Sequence, residues 1–305
     1  MLLHLQPASA EDLTMRIVNG NPVGQNAWPS VVAIKTARDG QILCGGNLIH
    51  PMWVLTAAHC IKGEAEGLYY EYGSPDLITF SGATGLDSPN GRHMRIQRIV
   101  VHPGYNMSNG VNDLAALLML EAPLEGATMP VYADNPPPGT LATVVGWGAR
   151  TAKANNGYPG NYPNQMQQVA LPIIPNEVCN APTSYGGKIQ ASMLCAGYPQ
   201  GGRDACVGDS GGPLMVQQNG VYRQIGIVSQ GEGCAMPGKY GIYTRVANYA
   251  SWIQQFAPPP YAQAPVTQLQ NPRATYPGGA GTTDLGWIGL LMPALWVVRK
   301  KTSGN

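Results

Sequence analysis

The sequence predicts an all-β protein, a barrel or a sandwich, and three observations carry that expectation. Apolar residues make up 44% of the chain and fall in many short runs, and the runs are punctuated by Gly, Pro and Asn, with 39 glycines and 27 prolines. Short apolar runs bounded by turn formers are the pattern of strands. Six cysteines, an even number, point to three disulfides and an oxidising compartment, although spacing alone does not choose their pairing. No C-x-x-C pair is present to suggest zinc. The 305 residues permit one large domain or two small ones, and a net charge of +1 with only 11% charged residues leaves no basic footprint for nucleic acid.

One stretch organises the chemistry: Asp204-Ala205-Cys206-Val207-Gly208-Asp209-Ser210-Gly211-Gly212-Pro213. Taken alone it fits a surface turn, where Gly and Asp supply unusual backbone angles. It also fits the G-x-S-x-G elbow of α/β-hydrolases, but that fold places its histidine after the serine. Here all five histidines (His4, His50, His59, His93, His102) precede Ser210, so a base for Ser210 must lie upstream. His59, in Ala57-Ala58-His59-Cys60 after the apolar run Trp53-Val54-Leu55, is the candidate base, and Asp113, in Asn112-Asp113-Leu114-Ala115, the candidate acid. Together with Arg16-Ile17-Val18-Asn19-Gly20, Cys44-Gly45-Gly46, Gly146-Trp147-Gly148 and Gly241-Ile242-Tyr243-Thr244-Arg245-Val246, these motifs resemble the trypsin-like, chymotrypsin-fold serine proteases from Ile17 to Phe256.

The resemblance implies two six-stranded antiparallel Greek-key barrels with a C-terminal helix, and disulfides Cys44–Cys60, Cys179–Cys195 and Cys206–Cys234. It implies Ser210 as nucleophile, His59 as base and Asp113 as the group that orients His59, with the N–H groups of Gly208 and Ser210 as an oxyanion hole. Asp204, six residues before Ser210, matches the acid at the floor of the primary pocket, and Gly231 and Gly241 match its walls. A carboxylate in an apolar slot wants a cation, so the substrate is expected to carry Arg or Lys before the cut. Ser229-Gln230-Gly231 matches the segment that pairs with substrate. Gln230 stands where the family carries Trp, which predicts an adjacent subsite for smaller or more polar groups. Cutting after Arg16 would free the amine of Ile17 to pair with Asp209, so the chain reads as a zymogen. No cofactor is required. Some relatives bind calcium, but Glu64, Glu66, Glu71 and Asp76 do not fall in register with a calcium loop and read as solvated acids. Tyr240 matches a residue type linked in some relatives to sodium sensitivity.

In chain order, residues 1–16 read as a leader and activation peptide. Met1 to Leu5 is too short for a signal core and lacks a basic start, while Ala8-Ser9-Ala10 resembles a small-residue cleavage site, so the start reads as truncated or misassigned. Residues 17–257 form the protease domain. Within it, Val31–Ile34, Leu43–Ile49 and Trp53–Leu55 read as strands with a turn at Gly45-Gly46. His102, before Pro103, reads as structural. Asp113 to Glu121 looks locally like a capped helix, but the resemblance makes it a buried strand, and tertiary context overrides propensity. Glu125 to Gly139 is a Pro-rich crossover. Val144–Trp147 and Gln224–Ser229 read as strands, Ala149–Pro163 as a long surface loop open to self-cleavage at Arg150 or Lys153, and Tyr249–Phe256 as the closing helix, with Trp252, Ile253 and Phe256 on one face.

Residues 258–277 read as a Pro-rich extended linker. In 278–305, Gly278-Gly279 precedes the apolar run Leu285–Val298 and the basic Arg299-Lys300-Lys301. The run is shorter than the roughly 20 residues of a spanning helix. Flanking residues, snorkelling basic ends and the terminal Trp287 and Trp296 bring it close. The tail resembles the bacterial GlyGly-CTERM sorting signal. That implies a transient inner-membrane helix, a rhomboid-like sorting protease, type II secretion and a secreted or cell-surface enzyme; an uncleaved anchor and a core helix are the other readings. Three competing functions stand beside the protease: a catalytically silent homologue acting as a surface binding module, which would usually have lost a triad member; an esterase, against which the histidine order argues; and a membrane structural protein.

Overall fold

The structure, a computed structural model, describes residues 17–37, 40–61, 77–105, 115–124, 128–150 and 162–258. Arg16, the acids between Glu64 and Asp76, Asp113, Lys153, the linker beyond 258 and the 278–305 tail lie outside the described residues. Among the described residues, no helix is long and apolar enough to cross a membrane.

The expected two-barrel architecture is what forms. The first barrel closes from β2 (Val31–Thr36), β3 (Ile42–His50), β4 (Trp53–Ala57), β7 (Ala115–Leu120), β6 (Arg92–Val101) and β5 (Leu77–Ser81), in that order around the ring. The second closes from β8 (Leu141–Gly146), β9 (Gln167–Ile174), β10 (Met193–Ala196), β13 (Gly241–Arg245), β12 (Val221–Gln230) and β11 (Pro213–Gln218), with the two-residue β1 (Asn21–Pro22) added at β9. All neighbours in the two rings are antiparallel, so neither barrel leaves an open edge.

The strands between the barrels are buried on both faces, which is why they read as continuous apolar runs. On β7, Leu118 and Leu120 enter the core of the first barrel with Val32, Ile34, Leu48 and Val54. Leu117 faces the other way, into a cluster with Leu55, Ile227, Tyr249 and Ile253. That double burial is what overrides the helical propensity of the Ala- and Leu-rich segment. The one-turn α1 (Asn176–Cys179) follows β9, and the closing helix is shorter than expected: a 3-10 turn over Val246–Tyr249 leads into α2 (Ala250–Ile253), and turns follow to Phe256. Ile253 is its buried anchor, with Trp252 and Phe256 packed beside it. His102 has the structural role expected of it. Its ring lies edge-on to Tyr249 and Trp252, its Nδ1 accepts the Gly104 N–H at 3.1 Å, and burial lowers its pKa.

Gly45 and Gly46 are not a turn. They sit inside β3, opposite Ala33 and Val32. A methyl at 46 would come within 2.7 Å of Val54 Cγ1, and one at 45 within 3.0 Å of Gly212 Cα. The pair is small because two layers approach there, one of them the segment carrying Ser210.

A buried amide pair ties the barrels together. Asn47 on β3 donates to Gln224 Oε1 on β12 at 2.8 Å, and Gln224 Nε2 donates to the Gly226 carbonyl at 3.0 Å. Both residues are fully buried. Gln224→Leu removes the acceptor and leaves a buried donor short of a partner, so the change is expected to cost about 2–3 kcal/mol of stability, read as a lower urea midpoint. Adding Asn47→Leu should then cost less than its own single effect; simple additivity would show that the pair does not act as a unit.

Candidate active site

Ser210 stands at the apex of two successive tight turns. Asp209 N–H bonds to the Cys206 carbonyl and Gly212 N–H to the Asp209 carbonyl, each at 2.9 Å. Gly211 N–H to the Val228 carbonyl (2.8 Å) and Val228 N–H to the Gly212 carbonyl (2.9 Å) lock this unit to β12, and the Ser210 carbonyl accepts the Gly45 N–H at 2.7 Å. Gly208 turns the corner at φ 97°, a region closed to most side chains. Among the described residues, neither the N–H of Gly208 nor that of Ser210 finds a protein acceptor. Unpaired main-chain donors are rare inside proteins. Two at one turn, beside a hydroxyl, are the donors that an oxyanion hole would need.

His59 sits in the 3-10 turn Ala58–Cys60 at the end of β4. The Ser210 unit packs onto the same segment: a methyl at Gly211 would lie 2.1 Å from Thr56 Oγ1 and 3.1 Å from Cys60 Sγ. The His59 ring rests against its own disulfide, with Nε2 3.8 Å from Cys60 Sγ. His59, Cys44 and Cys60 crowd together as metal ligands would, but both sulfurs are consumed in the Cys44–Cys60 bridge, so no thiolate is available. The other two bridges, Cys179–Cys195 and Cys206–Cys234, also follow the expected pairing.

Beside Ser210 opens a cavity of about 230 Å³, with Asp204, Ser229, Gln230, Gly231 and Gly241 in its wall. Asp204 is 5% exposed, and its Oδ2 accepts the Ala235 N–H at 3.0 Å. Among the described residues, its Oδ1 has no partner. Burial pushes its pKa up to about 7, against the pull of main-chain bonds from Ala235 and Ala205, with the nearby Asp209 charge adding to the rise. Gly241 keeps the carboxylate accessible, since a methyl there would lie 2.8 Å from Oδ1. Two contributors escaped the sequence reading. Tyr243, two residues along the same strand face as Gly241, is fully buried, lines the cavity and has an unpartnered hydroxyl; the period-two step from Gly241 would have pointed to it. Ala235, which anchors Asp204, holds φ 57°, and nothing in the sequence marks an alanine for that conformation.

Asp209 lies beneath the turn and is almost completely buried. It accepts N–H groups from Gly148 (2.8 Å) and Cys206 (3.0 Å). Gly146 and Gly148 make room for it, since a methyl on either would fall 2.3 Å from a carboxylate oxygen. Burial raises its pKa to about 6 despite those two bonds. Nearby, Ile17 is wholly buried in the core of the second barrel at φ 29°, Val18 packs against the Cys206–Cys234 bridge, and Asn19 Nδ2 donates to the Gly202 carbonyl. The structure thus gathers Asp204, Ser210, Ser229, Gly231 and Gly241 around one cavity, with Asp209 below and His59 alongside. Asp113 and Arg16 lie outside the described residues.

A family model described as Trypsin matches residues 17–253. The chain belongs to the trypsin family. It is therefore a serine peptidase of the chymotrypsin fold, a hydrolase acting on protein substrates by chemistry that needs no cofactor. The trypsin match begins at Ile17 and ends at Ile253, inside α2, so it spans both barrels and stops short of the linker and tail.

Proposed function

We propose that this protein is an exported endopeptidase that cleaves after Arg or Lys, made as a zymogen and activated by a cut after Arg16. The observation that carries the specificity is the unpartnered Asp204 Oδ1, buried at a cavity that opens beside Ser210. A guanidinium or ammonium entering there supplies the missing partner; a neutral side chain leaves the carboxylate unpaired.

In the reaction, Ser210 Oγ attacks the scissile carbonyl while His59 takes its proton, and the carbonyl oxygen becomes negative between the N–H groups of Gly208 and Ser210. Collapse breaks the C–N bond, and His59 returns the proton to the leaving amine. Water then repeats the sequence on the acyl-enzyme. Asp113, which lies outside the described residues, is assigned to orient the imidazole and hold its tautomer.

Activation follows from Asp209. Its buried carboxylate receives only amide donors from the described residues, and a new ammonium at Ile17 supplies a countercharge to a segment whose side chain is already docked. Three disulfides favour an oxidising compartment. The Gly278-Gly279, apolar and basic pattern of the tail favours delivery to the cell surface through a sorting protease and type II secretion. One experiment tests the whole reading: mass spectrometry of both ends of the mature protein, a fluorophosphonate label, and matched peptides with Arg, Lys, Ala or Phe before the cut. The expected result is an Ile17 N-terminus, label on Ser210 and turnover of the Arg and Lys peptides alone. An unlabelled Ser210 would make the protein a silent homologue; preference for Ala or Phe would overturn the pocket assignment.

A further inference from the structure

The wall of the cavity between Gly231 and Gly241 is a loop pinned at its neck. Both glycines line the cavity, as do Gly233 and Cys234, and the chain from 235 to 240 leaves the wall before returning to it at Gly241. Deep in the loop, the Cys206–Cys234 bridge and the Ala235 N–H to Asp204 bond fix it. The neck is closed by a different set of contacts. Lys239 Nζ pairs with Glu232 Oε2 at 2.7 Å and donates to the Ser184 carbonyl at 2.8 Å. It also lies 5.4 Å from the centre of the Tyr185 ring. The Tyr185 hydroxyl donates to the Tyr240 carbonyl at 2.7 Å and accepts the Glu232 N–H at 3.2 Å. One lysine and one tyrosine thus bind residues 232, 239 and 240 to one another and to the loop closed by Cys179–Cys195.

An exposed ion pair alone contributes little. Here the Lys239 side chain is only 20% exposed, and the same ammonium satisfies a carboxylate, a carbonyl and an aromatic face at once. We propose that Lys239 is a positioning residue for the cavity: the neck it closes sets the separation of Gly231 and Gly241, and so the fit of a basic side chain before the cut. It touches neither the substrate nor Ser210. The inference rests on reading the cavity as the Arg/Lys pocket.

The test uses the full chain after activation, with active sites titrated by fluorophosphonate so that only competent enzyme is counted. Lys239→Met keeps the stem and removes the charge. It is expected to raise KM for an Arg peptide and Kd for benzamidine together, by about tenfold, with kcat changed by less than about twofold. Lys239→Arg, which can still pair with Glu232 and lie on the Tyr185 ring, is expected to restore most of both. Unchanged KM and Kd in Lys239→Met would overturn the proposal. A lower thermal midpoint with binding intact would also overturn it, by reducing Lys239 to a structural role. Wild-type enzyme that neither cleaves after Arg nor binds benzamidine would instead overturn the pocket assignment on which the inference rests.

Discussion

Asp204→Ser, in activated enzyme, is expected to lower kcat/KM for Arg and Lys peptides by about 10²–10⁴ while leaving labelling of Ser210 by fluorophosphonate intact. The estimate follows from the site. Asp204 Oδ1 is buried without a partner, so an entering guanidinium is desolvated against that oxygen. Removing the acid strands the guest's charge, and breaking such a buried pair costs about 3–5 kcal/mol, at about 1.4 kcal/mol per tenfold. Peptides with small apolar residues before the cut should lose far less. The pocket should also titrate. Burial pushes Asp204 up to about 7, and a cation binds its carboxylate form. Benzamidine affinity is therefore expected to be full above pH 7 and to fall by about tenfold per unit below it, a slope that Asp204→Ser abolishes. Affinity flat from pH 5 to 8 would mean that Asp204 is charged throughout and that its burial is offset by something else. Taken without a guest, the sign for stability is opposite to that of an ion-paired acid. A carboxyl raised from 3.8 to about 7 in the folded state stabilises fully below pH 3.8, and that contribution is lost as the pH rises toward 7.

The turn around Ser210 was legible because it is local. Gly208, Ser210, Gly211 and Gly212 are needed within five residues of one another, and the turn geometry that needs them is encoded in the same stretch. The strands were legible where burial on both faces produced unbroken apolar runs, as in Trp53–Leu55. The same rule misled at Gly45-Gly46, where glycine reports a close approach of layers and not a turn. The distinction depends on Val54 and Gly212, the second of which is far away in sequence. The short α2 was over-read for a related reason. Ile253 needs only one turn of helix to reach its cluster, and the apolar spacing of Trp252, Ile253 and Phe256 is satisfied by the turns that follow. Tyr185 and Lys239 carried no signal at all. Their partners lie up to 55 residues away, and each residue alone reads as an ordinary surface side chain. What the sequence hid was the set of long-range contacts around the cavity, not the acid in its wall.

Ser210→Ala is expected to lower kcat by about a millionfold, the scale of nucleophile loss in an unrelated serine protease, with KM and folding unchanged. The fold does not depend on the hydroxyl. The turns around position 210 are held by main-chain bonds to Cys206, Asp209, Val228 and Gly45, all of which alanine keeps. The variant therefore also keeps the N–H groups of residues 208 and 210, and a residual rate of about 10³ over water should survive from them and from binding. Gly208→Ala separates the two contributions. That position holds φ 97°, and a methyl there would lie 3.1 Å from Gly148 Cα, so the peptide must rotate and the donor is lost with Oγ still in place. A fall of about 10²–10³ in kcat is expected. In the double variant the residual rate that these donors sustain should fall again, but by less than Gly208→Ala costs the intact enzyme, because nucleophile and donors act partly as a unit. Undiminished turnover by Ser210→Ala would place the reaction somewhere other than this turn.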